Sequence, residues 1–170
     1  MISSVWTIKR DFALDCFREL CDLARPLGLE IDLEFMLFSE VKTLAEAIKF
    51  LKAVGADNAR LLLDTFHFHT SGGTAADLDA VPGDLFGFIH LCDGPMEVNP
   101  TKERITHTAR SRRLYVGEGG IDIAGIVNRL PELVCSIELP NYIQAEIHGR
   151  EGHILRCLES AKAYFAAHPR

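Results

Sequence analysis

Long apolar runs are missing from this sequence: none of its 170 residues lies in a stretch approaching the roughly 20 apolar positions needed to cross a bilayer. The first residues, MISSVWTIKRDF, meet a charge within ten positions and hold no apolar core of signal-peptide length. A basic surplus is missing too. The formal net charge of −6 argues against nucleic acid or an anionic membrane as the main partner, because both demand a basic surface. No CxxC pair occurs, and the five cysteines, Cys16, Cys21, Cys92, Cys135 and Cys157, are odd in number and mostly set in apolar runs. They read as reduced core residues, which gives the cytoplasm as the expected compartment.

What is present is a chain long enough, and at 48% hydrophobic apolar enough, for one domain over residues 1–170. From Asp11 to Leu27 the residues Phe12, Phe17, Leu20, Cys21, Ala24 and Leu27 share a helical face, with Gly28 as the stop. Leu44, Ala47, Ile48, Leu51 and Val54 repeat that spacing between a Thr43 cap and Gly55. A short helix over Thr74–Ala80, another from Ile121 or Asp122 to Leu130, and a last one over Gly152–Ala167 with the stripe Ile154, Leu155, Leu158, Ala161 and Phe165 follow. Between them lie four strand-like runs: EIDLEF, ARLLLD, FGFIH and VCSIE. The stretch from Asp93 to Gly120 shows no sustained period and reads as irregular. Strands alternating with helices at this spacing predict right-handed crossovers and a parallel α/β sheet. A full (β/α)8 barrel takes about 250 residues, so four such units predict half of one.

Each strand-like run ends in a residue a divalent cation accepts: Glu34, Asp64, His90 and Glu138. Parallel α/β scaffolds place their chemistry at the carboxyl ends of their strands. Glu34 and Glu138 sit among apolar neighbours, where a carboxylate is costly unless paired or metal-bound; the plainer alternative is that both reach solvent. Asp64 is followed by His67 and His69 in LLLDTFHFHTSGG, and the alternative there is that Asp64 caps the turn while the histidines fill a loop. His90, with Asp93 just beyond it, could equally be a satisfied core histidine. Three carboxylates and an imidazole suit manganese, magnesium, cobalt or zinc, with no cysteine needed.

Taken in order, LEFMLFSE, LLLDTFHFH, FIHLCDGP, RRLYVGEGGIDI and SIELPN resemble the carboxyl-terminal half of the xylose isomerase-like TIM-barrel proteins, the sugar phosphate isomerase/epimerase group. The resemblance runs from about Asp11 onward. It implies that Glu34, Asp64, His90 and Glu138 hold the metal, that Glu34 and Glu138 are also the acid/base pair that moves a proton beside a substrate carbonyl through an enediolate, and that His67 touches a substrate oxygen. The basic segment Lys102–Arg113 lies beside the family-like GEGGIDI, and Arg113, nearest to it, is the candidate to bind substrate at the mouth of the site. Glu118 within that motif is expected to shape the turn.

The implied function is a metal-dependent isomerase or epimerase of a small sugar or polyol. The alternatives are a dehydratase of an inosose or dehydroshikimate on the same scaffold, and an inactive truncated barrel. An open half-barrel predicts a homo-oligomer or a partner supplying the missing amino-terminal half.

Overall fold

The computed structural model describes residues 1–170. Five strands, β1 (Ile2–Ser3), β2 (Ile31–Glu34), β3 (Ala59–Asp64), β4 (Phe86–Leu91) and β5 (Cys135–Ile137), form one parallel sheet in chain order. They are joined through α1 (Arg10–Ala24), α2 (Leu44–Val54), α3 (Thr65–Thr70), α4 (Lys102–Ser111) and α5 (Ile123–Val127), and α6 (Tyr142–Ala167) closes the chain. Sequential parallel strands with helical crossovers make a partial TIM-type barrel. The strand beyond the four expected, β1, has only two residues, too short for any periodic signal.

The outward face of the sheet carries the core. Ile31, Leu33, Leu61, Leu63 and Ile89 are fully buried there, against Phe17, Cys21 and Ala24 of α1 and Ala47, Phe50 and Leu51 of α2. Phe17 meets Phe50 edge to face at 5.5 Å, a favoured aromatic arrangement. Helix α2 starts where expected: the Thr43 side chain accepts from the Glu46 N–H, satisfying one of the amides that a helix start leaves open. Gly55 ends it at φ 70°, the left-handed conformation that glycine adopts without a Cβ penalty.

An irregularity in β4 decides which face its side chains take. Leu61 lies opposite Phe86 but Leu62 lies opposite Phe88, so Gly87 is an extra residue. A one-residue slip sends every later side chain to the other face. Without the bulge Asp64 would face Ile89; with it, Asp64 faces His90. Glycine leaves room here: a Cβ at position 87 would lie 1.9 Å from Asp32 Oδ1 and force that side chain aside.

Other expectations need correction. Residues 102–111 are helical, capped by Thr101 accepting from the Arg104 N–H; only Ile105 and Ala109 are buried on α4, a stripe too thin to register as a period. Residues 75–80 form a 3-10 helix with a Thr74/Asp77 capping box, and the helix after Asp122 stops at Val127. Phe12 is exposed, and α1 buries Ala13 and Leu14 beside the expected Phe17, Cys21 and Ala24. The final helix begins at Tyr142 and is broken at Gly149 (φ 71°, ψ 162°). It buries His153, Cys157 and Ala161, while Ile154, Leu155 and Leu158 face out. All five cysteines are free, but Cys16 and Cys135 are exposed.

Candidate metal centre

The carboxyl ends of β2, β3 and β4 deliver Glu34, Asp64 and His90, and Glu138 follows β5 by one residue. One ligand atom from each lies within 4.8 Å of the others. His90 Nδ1 is 3.5 Å from Glu34 Oε1 and 3.3 Å from Glu138 Oε2. These three atoms are buried and none makes a hydrogen bond. Burial disfavours a charged His90, but the Glu138 and Glu34 carboxylates outweigh it and hold the imidazole up to about 9.

Buried polar atoms without hydrogen bonds are unusual because each gives up its hydration without a full replacement. Three converging on one point, beside a fourth donor residue, are the arrangement a cation would satisfy. Three carboxylates and one imidazole fit manganese, magnesium, cobalt or zinc by donor chemistry. The nearby Cys92 thiol is pushed up to about 12, chiefly by burial and by the Asp64 charge, and remains protonated.

Asp64 serves two purposes at once. Its Oδ1 accepts from the His67 N–H at 2.8 Å, starting α3, and its Oδ2 accepts from Arg113 Nη1 at 2.5 Å. Full burial works against its ionisation, yet Arg113 and His67 hold its carboxyl well below the usual range. The capping role expected of Asp64 is thus carried by Oδ1, while Oδ2 pairs with Arg113.

His67 and Arg113 join the four strand-end residues. Arg113 lies inside rather than at the mouth: it is 3% exposed, its guanidinium sits 5.3 Å from the Phe66 ring centroid, and Nη2 is 3.1 Å from Glu138 Oε2. The rest of the basic segment stays outside, with Arg104 paired to Glu97 and Arg112 over the Tyr142 ring. His67 is buried, which lowers its pKa. Its ring meets Phe38 edge to face, and Phe38 stacks with exposed Trp6, so an aromatic wall runs from the site to the surface. His69 lies outside the group that gathers a ligand atom from each residue.

Two supporting networks escaped the sequence reading. Asp93 shapes the GEGGIDI turn by accepting from the N–H groups of Gly94, Gly117, Gly119 and Ile121 at 2.8–3.1 Å. Glu118, expected in that role, is exposed and lies 3.6 Å from Arg156. The glycines at 117, 119 and 120 were the available signal, since such spacing suits backbone amides converging on an anion. The second network links Tyr115 to His153 Nδ1 at 2.7 Å and His153 Nε2 to the Leu139 carbonyl at 3.1 Å. It ties α6 to the residue beside Glu138. A histidine among apolar helix residues gave no signal of that.

The family model described as Xylose isomerase-like TIM barrel matches residues 7–160. The chain belongs to that family. It is 33% identical over 138 residues to the inosose isomerase of Bacillus subtilis (strain 168), covering 76% of this chain and 48% of that protein. It is 28% identical over 114 residues to the 3-dehydroshikimate dehydratase of Pseudomonas aeruginosa, covering 66% of this chain and 17% of that protein. Among solved structures, the IOLI protein with a bound zinc atom superposes with a TM-score of 0.81 at 23% identity, over 98% of this chain and 63% of that one. The chain thus spans about half the length of the inosose isomerase it matches. No helix is long and apolar enough to cross a membrane.

Proposed function

We propose that Glu34, Asp64, His90 and Glu138 hold a divalent metal ion, and that the protein isomerises or epimerises a small keto-sugar or keto-polyol. The observation that carries this is the convergence of three buried atoms that make no hydrogen bond, Glu34 Oε1, His90 Nδ1 and Glu138 Oε2, within the four-residue set. Similarity to an inosose isomerase supports the substrate class. Free cysteines, two of them exposed, support a reducing compartment such as the cytoplasm.

When bound, the cation would stabilise the negative charge that develops on a substrate carbonyl oxygen as the neighbouring carbon loses its proton. The chain supplies the rest. Glu34 and Glu138 each bring two carboxylate oxygens, one for the ligand set and one to carry a proton. The Glu138 side chain keeps 42% of its surface open, so it has room to meet a substrate carbon. His67 would hold a substrate oxygen, and the Trp6–Phe38 wall would cover an apolar ring face.

A second reading has its own support in the dehydratase relative: the same proton abstraction followed by loss of hydroxide. Mass spectrometry in deuterated water separates the two. Isomerisation or epimerisation incorporates solvent deuterium beside the carbonyl, whereas dehydration gives a product lighter by one water. Glu138→Gln should abolish either reaction; full turnover in that variant would sink the acid/base role. Elemental analysis should find about one divalent ion per chain after incubation with manganese or zinc, and none retained would overturn the metal centre.

The sheet is unpaired along β1 and β5. Full activity is expected once these edges are covered, by a second copy or by further βα units.

A further inference from the structure

Arg113 spends its hydrogens within the protein. Nε donates to the Ala109 carbonyl at 3.0 Å. Nη1 donates to Asp64 Oδ2 at 2.5 Å, with Cys92 Sγ and the Glu138 carbonyl each at 3.3 Å. Nη2 has Glu138 Oε2 at 3.1 Å and His67 Nε2 at 3.3 Å. A guanidinium has five N–H groups and no acceptor, and at 3% exposure Arg113 turns its nitrogens onto protein groups.

The contact with His67 has a chemical consequence. A group that only donates can face an imidazole nitrogen only where that nitrogen carries a lone pair. We infer that Arg113 is a positioning residue that locks His67 in the neutral form protonated on Nδ1, while steering the Asp64 and Glu138 carboxylates. The alternative tautomer would set N–H against N–H at Nη2, and an imidazolium would add a second positive charge beside the guanidinium. His67 Nδ1 is itself buried with no partner in the protein. It is therefore a free donor that takes an acceptor, such as a carbonyl or hydroxyl oxygen of a polyol. That last step rests on the proposed function; the tautomer does not.

The test is long-range 1H–15N correlation on protein labelled at its histidines, with His67 assigned by its loss in His67→Gln. Wild-type metal-free protein at neutral pH should show His67 protonated on Nδ1 alone. Arg113→Met should abolish the single form and let the Nε2-protonated tautomer appear, and Arg113→Lys, another pure donor, should restore the wild-type pattern. A wild-type ring protonated on Nε2 or on both nitrogens overturns the inference, as does an unchanged pattern in folded Arg113→Met. If Arg113→Met does not fold, the wild-type pattern alone decides. Failure to bind metal would sink the proposed function and leave this result standing.

Discussion

The centre of the sheet and its two edges obey different rules. Strands β2 to β4 bury Leu33, Leu61, Leu63 and Ile89 completely, whereas Trp6 and Ile8 beyond β1 are 61% and 84% exposed and Val134 beside β5 is 74% exposed. Ile154, Leu155 and Leu158 add to the apolar surface. The difference divides the candidate site. Glu34, Asp64 and His90 stand on the finished part of the structure and are at most 9% exposed; Glu138 hangs from an unpaired edge. Three of the proposed ligands are thus set by the core, and the fourth depends on its tether through Leu139 to His153.

Substitutions can break this contrast, beginning at the centre. Asp64→Asn strips Arg113 of its buried partner and should cost about 3–5 kcal/mol, as removal of one member of a buried ion pair does; urea unfolding measures it, and a loss below 1 kcal/mol would refute the central role. Gly87→Ala sets a Cβ against Asp32 and should cost about 1–3 kcal/mol by overpacking, read the same way, with weakened metal binding as the bulge shifts. Val134→Lys, on the edge, should change stability by only about 0.5 kcal/mol yet reduce self-association in sedimentation, because charge on a strand edge blocks pairing. Unaltered association would remove β5 from the list of contact surfaces.

Sequence made the central half legible and the edges obscure. The apolar runs of β3 and β4 could be read because burial on both sides demands continuous apolar residues, and β2 from its Ile31 and Leu33 alternating with Asp32 and Glu34. The α6 stripe of Ile154, Leu155 and Leu158 misled for the opposite reason: periodicity reports that a helix has an apolar face, not whether anything covers it. Arg113 looked like a surface arginine because its charge run is mostly one, and nothing local announces that one member folds back onto Asp64 across 49 positions. The bulge at Gly87 is equally silent, since it exists only relative to the neighbouring strand.

The four amides gathered by Asp93 fix a segment without regular secondary structure in a single conformation. Loops around reactive centres are ordinarily among the first segments to open. Here the amide hydrogens of Gly117, Gly119 and Ile121 should exchange with solvent on the slow clock of the strands, and the segment that carries Arg113 into the site should keep time with the core.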